Sequence, residues 1–570
     1  MMIISFMMLW IFSIILYGPR LWQILTSGRS LSEVSLLSSF TIFQLIFWLL
    51  SAYFIAVVMF SFISKPVSTP QNFSENKWPE VAILYTTFND FCVEAASSCL
   101  KQDYPNFHLF LVDDSTKEEI RQEVDAFYSF HPEKITIVRR PSRKGFKSGA
   151  MNYVLCEVAT KYPFFAVIDA DEKIPEDFLK RTMVYLNNSE LAFVQTNHAP
   201  NPEQTAKFAC DIGPTILPFW GVHCRVRNRY GFVTYVGHGA VIRRSAWEAV
   251  SGFPEVITED LAFSALLAEK GMRGIFLDNI LCYEDFPSNY PAFRRQQERY
   301  IMGTTEVMCK YSRNIIQSSR ISLTEKIDFF LWCLPLYIPA LCLIFVALCT
   351  IGFTLAFGKV ISPTISIFGH QLNFISIIVL DERFSPLWSW DFQIFSIIGA
   401  LSPAFACIAL GLKGKLSATR LLFLSSVPYL SVMVLSWVGI LRYLVTRKTS
   451  WPPTGERYIS SSNEGIRDQS SLTRKIMFGQ VCNHFSMRIL EICIGGSLAI
   501  ASLITLNLSF FAVSCCLLIG VYIDMTGWEG RFPPLVSSIC FALIILQMIL
   551  NMTLLSYSPG LVPLAFSIHF

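Results

Sequence analysis

The stretch "PFFAVIDADEKIPEDFL" runs from Pro163 to Leu179 and joins an apolar run, residues 164–168, to Asp169-Ala170-Asp171. In an extended chain, residues i and i+2 point to the same side, so Asp169 and Asp171 can address one cation. Carboxylate oxygens suit Mg²⁺ or Mn²⁺, which one or two carboxylates usually hold together with substrate phosphates. An isolated Asp-x-Asp more often marks a solvated turn. At the end of an apolar strand, we favour a metal site.

The composition indicates a membrane protein. Of the 570 residues, 52% are hydrophobic and only 16% are charged, and the mean hydropathy is +0.45. Such a chain cannot cover itself with polar surface, so a bilayer is the expected solvent for part of it. The net charge of +3 argues against a nucleic-acid partner. The 16 cysteines form no Cys-x-x-Cys pair, which favours small buried side chains in a reducing compartment.

Changes in hydropathy along the chain predict six segments. They are, in order, two N-terminal transmembrane helices (1–76), a cytosolic α/β domain (77–290), interfacial amphipathic helices (291–326), transmembrane helices (327–446), a polar cytosolic segment (447–488) and C-terminal transmembrane helices (489–570).

Within 77–290, apolar strands alternate with amphipathic helices, which predicts a mostly parallel sheet with helices on both faces. The predicted strands are 81–88, 107–114, 134–140, 164–171 and 191–196, and the predicted helices are 93–102, 116–130, 147–160 and 175–188.

Basic residues flanking the apolar runs predict that 77–326 and 447–488 both face the cytosol. The chain must then cross the membrane an even number of times between 329 and 446. Residues 363–380 are apolar but broken by Pro363 and His370, so either they cross or a neighbouring run does not.

Acidic residues follow three of the predicted strands. Asp90 comes after the first, Asp113 and Asp114 after the second, and Asp169 and Asp171 after the fourth. Ligands of open α/β sheets bind at the carboxyl ends of the strands, so these carboxylates are expected to face one crevice.

Two later motifs carry groups that can accept a proton or stabilise phosphate charge. In Thr258-Glu259-Asp260, the aspartate is either a general base or simply an acidic residue in a first helical turn. The stretch "RRQQERYIMG" (294–303) reads as an amphipathic helix at the membrane surface, and its arginines also suit a developing phosphate charge.

The order of these motifs resembles the family 2 membrane glycosyltransferases, which include synthases of cellulose, mannan and hyaluronan and have the GT-A fold. Their signature is Asp, Asp-x-Asp, Thr-Glu-Asp and Gln-(Gln/Arg)-x-Arg-Trp, and the resemblance covers about 79–312. "KSGAMN" (147–152), "VQTNHAPNPE" (194–203) and "GHGAVIRRSAWEAVSGF" (237–253) also resemble family segments. Tyr300 replaces the usual Trp, and His238 stands where relatives commonly carry Cys, Ser or Thr.

The resemblance implies a role for each matching residue. Asp260 would be the catalytic base, and Asp169 and Asp171 would hold Mg²⁺ or Mn²⁺. The residues implied to bind the nucleotide sugar are Asp90, Asp113, Asp114, Lys147, Asp169, Gln297 and Arg299. Those implied to bind the acceptor are Glu259, His238, Gln296 and Tyr300.

We therefore expect an inverting, metal-dependent hexosyltransferase that extends a β-linked polysaccharide and couples its growth to export across the plasma or inner membrane. UDP-glucose is the default donor, and GDP-mannose and UDP-N-acetylglucosamine stay open. The alternative is transfer of one sugar to a membrane lipid, and a transporter with a degenerate cytosolic domain is a third hypothesis. A homo-oligomer or an accessory subunit also stays open.

Overall fold

The computed structural model of the chain describes residues 1–70, 78–361, 364–367, 370–373, 377–380, 382–387, 389–412, 417–447, 471–505 and 507–557. The chain divides into two compact units. Unit 1 comprises 1–59, 337–437 and 470–570, and unit 2 comprises 60–336 and 438–469.

Unit 2 contains a seven-stranded sheet. Its strands are β1 (Val81–Thr87), β2 (Phe107–Asp113), β3 (Ile135–Val138), β4 (Phe164–Asp169), β5 (Leu191–Pro200), β6 (Ala240–Arg243) and β7 (Arg273–Glu284). Its α-helices are α3 (Val93–Leu100), α4 (Glu118–Phe130), α5 (Phe146–Tyr153), α6 (Phe178–Leu186), α7 (Lys207–Ile212), α8 (Arg225–Tyr230), α9 (Arg244–Ala249), α10 (Glu259–Glu269), α11 (Tyr290–Gln317) and α12 (Leu323–Cys333).

The strand order is β3-β2-β1-β4-β6-β5-β7. Strands β3, β2, β1 and β4 are parallel, β6 runs antiparallel to both of its neighbours, and β5 and β7 are again parallel. The register pairs Thr86 with Asp169 and Thr87 with Asp113, so the acidic ends of β2 and β4 flank the end of β1. The topology thus gathers the predicted site at one edge of the sheet.

Both faces of the sheet are buried, which is what near-continuous apolar strands require. One core joins Ile83 and Tyr85 of β1 to side chains of α3, α4 and α6. The other joins Ala82 and Leu84 to side chains of α5, α9 and α10. The predicted fold class, a mostly parallel α/β domain between apolar helices, is confirmed.

The helices of unit 1 are apolar. Helices α2 (Leu31–Ile63) and α18 (Met433–Thr446) contribute residues to both units. The others are α1 (Met2–Leu25), α13 (Ile338–Ala347), α14 (Phe353–Phe357), α15 (Trp390–Leu401), α16 (Phe405–Leu412), α17 (Ala418–Leu430), α19 (Ser471–Ile504), α20 (Leu508–Thr526) and α21 (Phe532–Tyr557). Within the predicted polar segment 447–488, residues 448–470 lie outside the described residues, and α19 already begins at Ser471.

Residues 358–380 are not helical where the structure describes them. They form strands β8 (Gly358–Ile361), β9 (Thr364–Ile367), β10 (His370–Asn373) and β11 (Ile377–Leu380), with β9 paired to β10 and β8 to β11. The described parts of 363–380 are therefore extended rather than helical, which favours the alternative in which this segment does not cross as a membrane helix. β-Branched residues such as Thr364, Ile365 and Ile367 favour an extended chain.

Six helices in the described part of the chain are long and apolar enough to cross a membrane: Met2–Leu25, Leu31–Ile63, Leu323–Phe357, Trp390–Gly411, Phe485–Ile504 and Leu508–Thr526. Helices α17 and α18 meet the same criteria only as a pair, which is bent by 44°. Pro428 in α17 cannot donate to Leu424 O, and the Ser537 hydroxyl of α21, 2.7 Å away, donates to that carbonyl instead.

Gly274 tests the packing of the sheet. A Cβ at Gly274 would lie 2.3 Å from the Phe193 ring carbons, so Gly274→Ala must displace a fully buried ring. Overpacking costs about 1–3 kcal/mol. We expect the midpoint of thermal unfolding in detergent, followed by tryptophan fluorescence, to fall by roughly 2–12 °C. Gly496→Ala is the matched control, because a Cβ there meets nothing within 4 Å, and an equal midpoint for both variants would contradict the prediction.

Candidate active site

The Lys147 ammonium lies beside the acidic end of β4. It forms an ion pair with Asp169 and donates to Gly237 O at 3.0 Å, while the Thr86 hydroxyl lies 3.4 Å from Asp169 Oδ1. Burial raises the pKa of Asp169, but the charges of Lys147 and His238 and the hydrogen bond from Lys147 together outweigh burial, and the net shift is downward. Burial likewise lowers the pKa of Lys147, and the carboxylates of Asp169 and Glu259 reverse that shift. The pair therefore holds both of its charges at neutral pH.

Asp171 has an excess of negative charge around it. Burial, followed by the charges of Asp169 and Glu284, raises its pKa well above the usual value. A carboxylate in this setting either takes up a proton or binds a cation. Asp169 and Asp171 offer the hard oxygen ligands that Mg²⁺ and Mn²⁺ prefer, so these residues fit a divalent ion.

Asp90 lies at the end of β1, as predicted. Its Oδ1 accepts hydrogen bonds from the Thr87 hydroxyl at 2.9 Å and from Phe88 N at 2.7 Å. Burial raises its pKa to about 6. The chain can turn here because Asn89 adopts a left-handed conformation, φ 60°, which Asn tolerates better than most residues.

Asp113 and Asp114 end β2, and each binds an arginine. Arg139 Nε lies 2.7 Å from Asp113 Oδ2. Arg140 donates two hydrogen bonds to the Asp114 carboxylate, of 2.8 and 2.6 Å. Arg140 also donates to Phe146 O at 2.7 Å. The second carboxylate therefore helps to fix the start of α5, the helix that presents Lys147. Nucleotide binding by these two aspartates stays a prediction.

Glu259 and Asp260 form the first turn of α10. Asp260 Oδ1 accepts from Leu261 N at 2.8 Å, and its Oδ2 lies 3.6 Å from where a Cβ on Gly237 would stand. Burial raises the pKa of both carboxyl groups, and the Lys147 charge opposes that shift in both. The start of α10 thus shares one electrostatic environment with the end of β4.

Gln296, Gln297, Arg299 and Tyr300 lie on α11, and Tyr300 is 36% exposed as a residue. Burial, reinforced by Glu284 and Asp260 and opposed by Arg299, raises the pKa of Tyr300 to about 12. The tyrosine therefore lies within electrostatic range of the proposed base. An exposed aromatic ring can stack against a sugar.

His238 lies in the turn between Gly237 and Gly239. Its Nδ1 is 3.3 Å from Glu172 Oε2, and its Nε2 is 3.3 Å from Glu284 Oε2. Burial lowers its pKa, but the carboxylates of Glu172, Asp169 and Glu284 outweigh burial and raise the pKa to about 10. Binding of the sugar acceptor by this charged histidine stays a prediction.

The sequence analysis missed three buried groups beneath this turn. Glu172, His198 and Cys282 have ligand atoms that all lie within 4.8 Å of one another. Glu172 directly follows the Asp-x-Asp motif, and His198 lies within the "VQTNH" segment, so their neighbours in sequence were a usable signal. The predicted residues from β1, β4, the 237–239 turn and α10 therefore come together, and Glu172 and Glu284 join them.

Comparison with known families places this region in a described group. Residues 164–446 match the model of "Glycosyl transferase family group 2". A probable glucomannan 4-beta-mannosyltransferase 1 of Arabidopsis thaliana is 28% identical over 271 residues, which is 44% of this chain and 47% of that protein. A glucomannan 4-beta-mannosyltransferase 1 of Oryza sativa subsp. japonica is 28% identical over 236 residues, or 39% of this chain and 44% of that protein. The chain thus spans about half the length of the curated relatives it matches.

Solved structures give weaker matches. The mannosyltransferase PcManGT from Pyrobaculum calidifontis, in complex with GDP-Man and Mn²⁺, aligns with 72% of this chain and 99% of its own, at 16% identity and a TM-score of 0.43. TarS of S. aureus (residues 1–349) aligns with 65% of this chain and 93% of its own, at 13% identity and a TM-score of 0.32.

The cation site can be tested without any substrate. Asp171→Asn keeps the shape of the side chain but removes one negative charge. We expect Mn²⁺ affinity, measured by electron paramagnetic resonance on purified protein in detergent, to fall at least about tenfold. Asp177→Asn, which alters a half-exposed carboxylate near the start of α6, should leave Mn²⁺ affinity unchanged. Equal Mn²⁺ binding by wild type and Asp171→Asn would contradict the assignment.

Proposed function

Because residues 164–446 match the model of glycosyl transferase family group 2, we propose that the protein is an inverting glycosyltransferase that adds sugars from a nucleotide-sugar donor to a growing β-linked polysaccharide. The observation that carries this proposal is the convergence of Asp169, Lys147 and Asp260 in one half-buried acidic crevice. An accessory subunit and a homo-oligomer both stay compatible with it.

Asp260 is the proposed general base. It would accept the proton of an acceptor hydroxyl that attacks the anomeric carbon from the face opposite the leaving diphosphate. One base without a covalent nucleophile gives inversion, from an α-linked donor to a β-linked product. Its raised pKa makes Asp260 a stronger base than an exposed aspartate, because burial destabilises the carboxylate.

The departing diphosphate is the other charged group. Asp169 and Asp171 would hold Mg²⁺ or Mn²⁺, which supplies charge stabilisation for the leaving diphosphate. Arg299 on α11 adds a fixed positive charge, and Lys147 keeps Asp169 ionised and oriented. Asp90, Asp113, Asp114 and Gln297 are proposed to contact the rest of the donor.

A sugar donor and an acceptor-binding set of residues complete the proposal. The plant relatives are named mannosyltransferases, so we propose GDP-mannose ahead of UDP-glucose as the donor. Glu259, His238, Gln296 and Tyr300 are proposed to bind the end of the acceptor chain. The apolar helices would carry the product across the membrane, and transfer of a single sugar to a lipid is the alternative.

We propose that the catalytic unit faces the cytosol of the plasma or inner membrane. With 363–380 excluded as a helix, two crossings remain between 329 and 412, which returns the chain to its starting side. In this topology, Lys413 and Lys415 follow the second crossing on the cytosolic side, as the positive-inside rule expects. Helices α17 and α18, bent by 44°, would enter and leave on that side as a re-entrant pair. A glycosylation acceptor inserted at 413–416 should stay unmodified in eukaryotic membranes, and its modification would refute this topology.

The deciding experiment is nucleotide release by purified protein in detergent. GDP-mannose, UDP-glucose and UDP-N-acetylglucosamine are each supplied with Mn²⁺ or Mg²⁺ and then with EDTA, in the presence of oligosaccharide or lipid acceptors. Release from one donor identifies the sugar, and gel filtration of the product separates a polysaccharide from a lipid-sized product. Absence of turnover with every donor and acceptor would overturn the enzyme proposal.

Asp260→Asn should abolish turnover, because an amide cannot accept the hydroxyl proton. Loss of a general base lowers kcat by about 10²–10⁴-fold. Glu269→Gln is the matched control, since it removes a carboxylate from the opposite end of α10, and it should retain wild-type kcat. If Asp260→Asn kept its activity, another group would be the base, and sugar flux without turnover would favour the transporter hypothesis.

The pH dependence of kcat provides a separate test. Burial raises the pKa of Asp260, and only the ionised form can act as a base. Turnover at saturating metal and donor should therefore be full above that pKa and decline as the pH falls through it. We expect the acid limb to lie above pH ~3.9, the value for an exposed aspartate. A limb at or below that value would argue against a buried carboxylate base.

A further inference from the structure

We infer that Glu172 is a positioning residue that holds the Asp169-Ala170-Asp171 turn in the geometry needed for a cation. The inference rests on the proposed function, because the cation is that of the proposed transfer reaction. Glu172 is fully buried at the turn that follows β4. It touches neither the donor nor the acceptor in this scheme, and it acts through the groups it binds.

The carboxylate of Glu172 gathers donors from three parts of the chain. Its Oε1 lies 2.8 Å from His198 Nε2 of β5. Its Oε2 accepts from Gly239 N at 3.1 Å and from Asp169 N at 3.3 Å. His238 Nδ1 lies 3.3 Å from the same oxygen. One side chain therefore links the end of β4, strand β5 and the 237–239 turn.

These contacts bear on Asp169 from two sides. Glu172 binds the backbone of Asp169 directly. It also binds Gly239, which fixes the turn whose Gly237 carbonyl accepts from Lys147 at 3.0 Å, and Lys147 pairs with the Asp169 carboxylate. A shift of Glu172 would thus move the end of β4. It would also move the Lys147 ammonium, which orients the Asp169 side chain.

The site also requires a carboxylate rather than an amide. Glu172 presents two acceptor oxygens to donors, whereas a glutamine offers one oxygen and turns an N–H₂ group towards the other donors. The structure leaves no space for rearrangement, because a Cβ on Gly239, φ 57°, would lie 2.2 Å from His198 Nε2 and 2.5 Å from Glu172 Oε1. An isosteric amide would therefore leave a buried donor unsatisfied.

Glu172, His198 and Cys282 could instead form a zinc site, but their geometry favours a hydrogen-bonded cluster. The 2.8 Å between Glu172 Oε1 and His198 Nε2 is a hydrogen-bond length. Two ligands about 2.1 Å from one tetrahedral ion would stand farther apart. The Trp220 ring also packs on the His198 ring, with the ring centroids 4.4 Å apart.

The test compares Glu172→Gln with wild type by Mn²⁺ titration, read by electron paramagnetic resonance on the full-length protein without donor. We expect Mn²⁺ to bind at least about tenfold more weakly, as when groups that orient metal ligands are altered. Glu176→Gln, an exposed carboxylate on the same segment, should leave binding unchanged.

A second control separates positioning from general destabilisation. Thr182→Val removes a buried hydroxyl that bonds within α6, away from the site, so it should lower the unfolding midpoint without weakening Mn²⁺ binding. If Glu172→Gln does not fold, Glu172→Asp keeps the charge but shortens the side chain, and it should also weaken Mn²⁺ binding severalfold.

Each outcome has one meaning. Wild-type Mn²⁺ affinity in the folded Glu172 variant, or stoichiometric zinc in the purified wild-type protein, would overturn the positioning role while leaving the transferase proposal intact. If wild type binds no Mn²⁺, this inference fails, and metal-free nucleotide release with formation of product would show that the transferase proposal survives. We expect Mn²⁺ binding to weaken in the Glu172 variants and to stay at the wild-type level in Glu176→Gln and Thr182→Val.

Discussion

The site depends on concentrating negative charge at the end of a parallel sheet. Parallel strands deliver their carboxyl ends to one edge, and β1, β2 and β4 all end in or beside aspartates. Mutual repulsion would raise the cost of folding if every carboxylate stayed unpaired. Arginines neutralise Asp113 and Asp114, Lys147 neutralises Asp169, and Asp171 is left with a strongly raised pKa. This uneven pairing supports the proposal that a cation binds at the end of β4.

The elements of this arrangement that the sequence predicted share one property, which is that a local run of residues marks them. The apolar run that ends at Asp169 needs no distant information to be read as a buried strand, and the five predicted strands appear as β1 to β5. The antiparallel insertion of β6 between β4 and β5 depends on long-range pairing, so a local pattern could not reveal it. The same holds for 363–380, whose apolar composition suits a helix or a strand equally.

Glu172 was missed for a different reason. In the sequence, nothing distinguishes a third acidic residue after Asp-x-Asp from a solvent-exposed one. Its burial becomes evident only when β5 supplies His198 and the 237–239 turn supplies backbone N–H groups. Gly239 takes part in this too, because its missing side chain lets the turn approach the histidine. Roles that require three distant segments to meet leave little trace in any one of them.

Helix α11 shows how one helix can serve both the site and its support. Gln296 is spaced i+3 and i+4 from Arg299 and Tyr300, so these three residues share a face. Glu298 has the same spacing to Ile301 and Met302.

The face with Glu298 packs against the end of α18. Arg442 Nη1 lies 2.6 Å from Glu298 Oε1, and a Cβ on Gly439 would lie 2.9 Å from Ile301. The variable position of the Gln-Gln-x-Arg-aromatic motif is thus used here for docking. The end of α18 therefore contacts the same helix that carries Gln296, Arg299 and Tyr300, on the side that these three residues leave free of the motif.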